Sequence, residues 1–196
     1  MDRPDVSSSA VNSRPAEQRF PFELHVERWL NTADPTMAPE CRGKVVMIEA
    51  FQLLCPGCVS HALPQAQRVH ALFADSDLVV IGLHTVFEHH QAQGRTEVLE
   101  AFVHEYRLTF PIGIDTPSPH DPIPQTMRAY GMRGTPSLLL FDRDGKLVLH
   151  KFGAVDDLAL GATIATHLVR PSPTEAPPPA PPPGSAPCDD QGCPIP

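Results

Sequence analysis

Two short apolar runs constrain the fold of this chain more than any other feature of its sequence. Residues 44–51 (KVVMIEAF) and 77–84 (DLVVIGLH) are rich in β-branched side chains and show little polar alternation. Runs of this kind are typical of strands that are covered on both faces. Between them, apolar residues recur at the spacing of one helix face: Val59, Ala62, Ala66, Val69 and Phe73. This order of strand, helix and strand predicts a parallel βαβ unit with a right-handed crossover.

The later part of the sequence predicts a different order of elements. A helix, a short extended piece, a hairpin and a last helix are expected at 95–106, 110–114, 136–152 and 155–168. The two hairpin strands, PSLLLF and KLVLHKF, are separated by Asp-Arg-Asp-Gly, a turn sequence that closes an antiparallel pair. The predicted fold class is therefore α/β, with a central mixed β-sheet flanked by helices on both faces.

Length, composition and charge limit the classes of protein to consider. The chain has 196 residues and 41% hydrophobic content, which predicts one soluble domain with a substantial core. Its net charge of -8 argues against a nucleic-acid partner or an anionic lipid surface. We expect no membrane span, because the sequence has no apolar window of about 18 residues. The first twenty residues lack the apolar stretch of a secretory signal, which predicts a cytoplasmic protein, or a periplasmic one if a leader is missing.

Both ends of the sequence differ in composition from its centre. Residues 1–19 are polar and without periodicity, which predicts a loose arm before a domain at 20–170. Nine of the seventeen residues in 171–187 are proline, which predicts a semi-rigid polyproline II spacer. Beyond it, 188–196 form a tip that carries Cys188 and Cys193. We interpret this tail as uncommitted, with an accessory redox role for the two thiols, or binding of a soft metal, as the alternatives.

A Cys-Pro-Gly-Cys sequence joins the first predicted strand to the following helix. The helix dipole and unpaired N–H groups stabilise a thiolate at a helix start, which predicts Cys55 as the nucleophile. We expect Cys58 to be more buried and to resolve a mixed disulfide on Cys55. Pro56 suits the first helical turn, because the backbone N–H that proline lacks would have no hydrogen-bond partner within the helix there. The alternative is half of a zinc site, which needs two further ligands such as Cys188 and Cys193. The position between strand and helix favours redox chemistry without metal or cofactor.

Several motifs together resemble the TlpA-like thioredoxins and, more widely, the redoxin and alkyl hydroperoxide reductase superfamily. The resemblance runs from about Trp29 to Leu168. It rests on WLN at 29–31, RGKVV at 42–46, CPGC at 55–58, VHEY at 103–106, LTFP at 108–111, AYGMRGTP at 129–136 and LFDRDGK at 140–146. The resemblance implies a thioredoxin-like fold and thiol:disulfide exchange.

The resemblance also implies roles for residues outside the cysteine pair. Pro136 is implied to be a cis proline beside the cysteines, and the backbone of Thr135 is implied to bind an extended substrate segment. Pro56 and Gly57 complete the predicted substrate-binding set. Glu49 lies six residues before the first cysteine, where thioredoxins carry a buried acid that accepts the proton of the resolving thiol. The alternatives are a trans proline at the start of an edge strand and a solvent-facing Glu49.

The sequence departs from the family pattern at several positions beside the motif. Leu54 replaces the usual tryptophan, the order of the central pair is Pro-Gly rather than Gly-Pro, and His61 replaces an acid. These changes leave the redox potential and the direction of exchange open.

Other residues with chemical potential lie away from the motif. His84, Glu88, His89 and His90 form a loop in which a metal or acid/base role is an alternative to solvated side chains. Cys41 has no neighbouring partner in the sequence and is interpreted as an incidental thiol.

The predicted function is thiol:disulfide exchange by a monomer. Its expected partners are a protein or small molecule that contains a disulfide, and a thiol electron donor. A thiol-dependent peroxidase is the main alternative, although Gln52 stands where such enzymes normally have Thr or Ser, three residues before the cysteine. A non-enzymatic module that binds metal or protein is the third possibility.

Overall fold

A computed structural model of the chain describes residues 21–169. The predicted arm at 1–19, the proline-rich spacer at 171–187 and the tip with Cys188 and Cys193 lie outside the described residues. The domain limits therefore stay a prediction.

Six strands form one mixed sheet with helices between them. The strands are β1 (Val26–Leu30), β2 (Val45–Phe51), β3 (Leu78–His84), β4 (Ile112–Asp115), β5 (Ser137–Phe141) and β6 (Leu147–Phe152). The helices are α1 (Leu63–Leu72), α2 (His90–Gln93), α3 (Thr96–Glu105), α4 (Gln125–Ala129) and α5 (Asp157–Val169), and a π-helical turn, Cys58–Ala62, leads into α1. The order across the sheet is β1-β4-β3-β2-β5-β6. Within residues 21–169, no helix is long and apolar enough to cross a membrane.

The two units predicted from local patterns are present. β2 and β3 are parallel, with Val45 opposite Leu78, and α1 connects them. β5 and β6 form the antiparallel hairpin, and the side chain of Asp142 accepts hydrogen bonds from the N–H groups of Asp144 and Lys146 in its turn. The βαβ and hairpin predictions are confirmed, as is the mixed α/β sheet.

Three elements were not predicted. β1 pairs antiparallel with β4 at the sheet edge, and α2 and α4 are helices of four and five residues. The sequence of β1, VERWL, carries two charged and exposed residues, because an edge strand needs neither continuous apolar character nor strict alternation. A single helical turn such as α4 is too short to show a period.

The side chains of β2 divide the core into two layers. Val45, Met47 and Phe51 pack on one face of the sheet, in a cluster that also contains Cys58 and residues of α1 and α5. Val46, Ile48 and Ala50 pack on the other face. Since side chains alternate along a strand, Glu49 lies on the same face as Met47 and Phe51, which is the face of Cys58.

Arg143, in the hairpin turn, ties three segments together at the end of the sheet away from the cysteines. Its guanidinium donates to the carbonyl oxygens of Gly43 and Leu168 at 3.0 Å each and to the Asp77 carboxylate at 2.9 Å. The Arg143 side chain is 13% exposed, whereas the Asp77 side chain is 59% exposed, so the two bonds to carbonyl oxygens are better shielded from water than the ion pair.

We expect Arg143→Met to lower the free energy of unfolding by about 1 to 3 kcal/mol, because the half-buried carbonyl oxygens of Gly43 and Leu168 lose their charged donor. Arg68→Met is the matched control, since its ion pair with Asp157 is exposed and is expected to contribute about 0 to 1 kcal/mol. Urea titration of both variants measures the difference. Equal losses in the two variants would contradict the role of Arg143 in connecting these three segments.

Candidate active site

Cys55 and Cys58 lie at the carboxyl end of β2 and at the start of the helical segment. They form a disulfide, with Cα atoms 5.2 Å apart. Cys55 is half-buried and Cys58 is fully buried, as predicted. The N–H of Cys58 points at the Cys55 Sγ across 3.2 Å. This N–H group is placed to stabilise a thiolate on Cys55 when the disulfide is open.

The first turn after the motif differs from the regular helix that the sequence predicts. Residues Cys58–Ala62 form a π-helical turn before α1 begins. The carbonyl of Cys55 accepts hydrogen bonds from the N–H groups of both Cys58 and Val59. Single π-helical turns are frequent at functional sites. One such turn is too short for the spacing of apolar residues to reveal it in the sequence.

A loop before β5 forms the second wall of the site. The Thr135–Pro136 peptide bond is cis, which excludes the alternative of a trans proline. The carbonyl oxygen of Thr135 lies 3.4 Å from the Cys55 Sγ and would accept a hydrogen bond from its S–H in the reduced protein. A Cβ on Gly57 would lie 3.4 Å from the Pro136 ring, so the Pro-Gly pair and Pro136 are in close contact.

Glu49 is buried in β2, on the face of the sheet that also holds Cys58. The alternative of a solvent-facing side chain is therefore wrong. Burial penalises the charged form and raises the pKa of Glu49 to about 8. A carboxyl group with this pKa is predominantly protonated at pH 7 and exchanges its proton close to ambient pH.

A pair of buried glutamines beneath the motif was missed as a site feature by sequence reasoning. The amide of Gln93, in α2, donates to the Gln52 Oε1 across 2.6 Å. From the sequence, Gln52 was notable only because it stands three residues before Cys55, where thiol-dependent peroxidases have Thr or Ser. Its position at the end of a nearly continuous apolar strand was the available signal, because a buried amide there requires a partner.

The histidine loop does not join the cysteines. His84 is buried beside the Phe51 ring, and burial lowers the pKa of His84 to about 4. It lines a small cavity together with His90 and Asp115, whereas Glu88 and His89 are exposed. Within the described part of the chain, no three His, Cys, Asp or Glu side chains are grouped so that they could hold a metal ion.

Cys41 and His61 also lie apart from the exchange geometry. Cys41 is fully buried, and burial raises the pKa of its thiol to about 12, which makes it unreactive at neutral pH. His61 is exposed on the π-helical turn.

Two exposed apolar side chains lie beside the two loops of the site. Leu54, directly before Cys55, is 57% exposed, and Phe152, on β6, is 45% exposed. Phe152 pairs with Ser137 across the hairpin and packs against Gly134, so it adjoins the loop of Thr135. The guanidinium carbon of Arg133 lies 5.5 Å above the centre of the Phe152 ring.

Comparisons with known proteins agree with this geometry. The AhpC/TSA family model matches residues 21–150. The crystal structure of the thioredoxin-like superfamily protein SPOA0173 is 51% identical, with a TM-score of 0.73 over 79% of this chain and 99% of that one. A thiol-disulfide isomerase from Corynebacterium glutamicum is 44% identical, with a TM-score of 0.72 over 76% of this chain and 96% of that one.

More distant structures share the fold. StoA from Bacillus subtilis is 20% identical, with a TM-score of 0.55 over 74% of this chain and 97% of that one. A comparison with curated protein sequences finds none that matches the chain. The family match, the two related structures and the cysteine pair lead to one assignment: the chain belongs to the AhpC/TSA family and is a thioredoxin-like thiol:disulfide oxidoreductase.

Proposed function

We propose that Cys55 and Cys58 exchange their dithiol and disulfide states with disulfides of a protein or a small molecule. The observation that carries this proposal is the asymmetry of the pair. The half-buried Cys55 Sγ is accessible and faces an N–H donor, whereas the Cys58 sulfur is enclosed in the core. An accessible, stabilised thiolate attacks an incoming disulfide, and an enclosed thiol reacts only with a sulfur already held beside it.

The exchange takes two steps. The Cys55 thiolate attacks one sulfur of the substrate disulfide, a mixed disulfide forms, and the displaced substrate thiolate takes a proton from solvent. Cys58 then gives its proton to Glu49 and attacks the Cys55 sulfur, which releases the second substrate thiolate. The substrate gains two electrons, and the enzyme retains the Cys55–Cys58 disulfide. The same steps in reverse, with a thiol electron donor, reduce the enzyme again.

The pKa of Glu49 suits this role in both directions. A group with a pKa of about 8 is available in both protonation states near neutral pH. In the ionised state it accepts the proton of Cys58 during resolution. In the protonated state it returns a proton to Cys58 when the enzyme disulfide is opened.

The side chains around the cysteine pair favour one class of disulfide substrate. Leu54 and Phe152 offer apolar contacts beside the two loops, and Arg133 adds a positive charge over the Phe152 ring. An extended segment that pairs with the backbone of Thr135 would bring its side chains toward these contacts. We therefore propose protein disulfides with neighbouring apolar residues as the preferred substrates.

We expect Leu54→Ser to lower kcat/KM for reduction of a protein disulfide by about tenfold, since apolar contact at an exposed leucine is lost. The rate with a small aromatic disulfide is expected to change less than about twofold. Leu72→Ser is the matched control, because Leu72 is 78% exposed at the far end of α1. If both leucine variants behave alike, Leu54 does not contact the substrate.

The peroxidase alternative is less well supported by the geometry. Gln52 occupies the position of the usual Thr or Ser, and its amide oxygen is engaged by Gln93. A direct test measures insulin reduction and peroxide consumption by the wild-type protein, and looks for mixed disulfides trapped on Cys58→Ser. We expect disulfide reduction, slow peroxide consumption and trapped partners. Rapid peroxide consumption without disulfide reduction or trapping would overturn the proposed function.

A further inference from the structure

We propose that Gln52 and Gln93 are positioning residues that hold the cysteine loop and the loop of Thr135 at a fixed separation. This inference rests on the proposed function and adds a structural requirement to it. It begins from a continuous series of hydrogen bonds that passes beneath Cys55.

Gln93 connects α2 to the cysteine loop. Its Oε1 accepts a hydrogen bond from the N–H of Leu54 at 3.0 Å, directly before the nucleophile. Its Nε2 donates to the backbone carbonyl of Glu88 at 2.9 Å and to the Gln52 Oε1 at 2.6 Å. The position of the Leu54 peptide group is therefore tied to a side chain 39 residues away in sequence.

Gln52 carries the connection to the other wall of the site. Its Nε2 lies 3.5 Å from the Thr135 Oγ1, a long hydrogen bond that completes the series from α2 to the cis-proline loop. The carbonyl of the same Thr135 lies 3.4 Å from the Cys55 Sγ. The Leu54 peptide group before Cys55 and the Thr135 side chain opposite it thus both contact the pair of Gln52 and Gln93.

Both glutamine side chains are buried, so each amide depends on the other for a hydrogen bond. Gln52 and Gln93 are each 1% exposed. A buried amide is unfavourable unless its donors and acceptor find partners, and these two amides provide partners for each other. Either residue replaced alone leaves a buried polar group unpaired, so the two loops lose a shared constraint.

Substrate size separates positioning from a general structural role. A peptide disulfide needs the Cys55 thiolate and the backbone of Thr135 at a matched distance, and misplacement by about 1 Å is costly. A small alkylating reagent needs the thiolate alone. Loss of positioning therefore affects the two reactions unequally, whereas general unfolding reduces both.

The test compares Gln93→Met, Gln52→Met and the double variant with the wild-type protein. Each single variant is expected to lower kcat/KM for a peptide disulfide about tenfold. The rate of Cys55 alkylation by iodoacetamide is expected to change less than about twofold. In the double variant neither amide is left buried opposite an apolar side chain, although the Leu54 N–H and the Glu88 carbonyl still lack the Gln93 amide. The loss of its unfolding midpoint should therefore be smaller than the sum of the two single losses, whereas its peptide kcat/KM should stay as low as in the single variants. Gln67→Met is the control, because Gln67 pairs with Thr109 away from the cysteines.

Three results would overturn the inference: unchanged peptide kcat/KM in both single variants, equal losses in both reactions, or recovery of peptide activity together with stability in the double variant. A wild-type protein without activity on disulfides would instead refute the proposed function. An active wild type with unaffected variants refutes the positioning role alone.

Discussion

Cys55→Ser is expected to lower kcat/KM for disulfide reduction by about 10³-fold or more, because an alcohol replaces the attacking thiolate. Cys58→Ser is expected to abolish turnover as well, but for a different reason. It retains the first attack and stops at the mixed disulfide, since the enclosed sulfur that resolves it is gone. The two variants therefore differ in single-turnover release of the first substrate thiol, which Cys58→Ser performs and Cys55→Ser does not.

Cys41→Ser provides the matched control for these substitutions. Cys41 is buried, and the high pKa of its thiol keeps it protonated, so this variant should retain wild-type kcat/KM. Mass spectrometry after alkylation of the reduced protein identifies which cysteine reacts and separates Cys55 from the tail thiols. Faster alkylation of Cys58 than of Cys55 would contradict the assigned order of attack.

Glu49→Gln is expected to change both the pH dependence of stability and the rate of resolution. The pKa of Glu49 is raised on folding, so the folded protein holds this proton more tightly than the unfolded chain does. Its contribution to stability is fully present below the unfolded pKa of about 4.5 and is lost as the pH rises through about 8. The wild-type free energy of unfolding should fall relative to Glu49→Gln by up to about 1.4 kcal/mol per pH unit in this range.

Urea titrations of the oxidised protein between pH 5 and 9 measure this difference while Cys55 and Cys58 cannot titrate. Glu105→Gln is the control, because it removes a carboxylate that is exposed on α3 instead of one that is buried in the sheet. Parallel curves for the wild type and Glu49→Gln would contradict a buried, protonated Glu49.

The kinetic effect of Glu49→Gln should appear in the second step of exchange. Without a carboxylate to accept the proton of Cys58, the mixed disulfide persists longer, and we expect resolution to slow by about 10²-fold at pH 7. The defect should lessen at alkaline pH, where the thiol ionises without assistance. Quenched-flow detection of the mixed disulfide measures the step. Equal rates of mixed-disulfide resolution in Glu49→Gln and the wild type at pH 7 would show that Glu49 does not accept the proton of Cys58.

The sequence determined the parts of this protein whose patterns are local. Nearly continuous apolar character in β2 and β3 indicated the parallel unit, because strands covered on both faces need it. The turn residues between β5 and β6 indicated the hairpin, and the position of the cysteines between strand and helix favoured redox chemistry. Each of these features depends on neighbours within a few residues along the chain.

Tertiary structure decided which distant groups meet at Cys55. The Thr135 carbonyl, 80 residues away, faces its sulfur, and Gln93 reaches beneath the motif to Gln52 across 41 residues. The same packing keeps His84 beside Phe51 rather than at the cysteines. Contacts of this range depend on how sheet layers and loops close over one another. No local period records that closure, so the sequence pointed to Cys55 as the proposed nucleophile, whereas only the fold revealed the amide pair beside it.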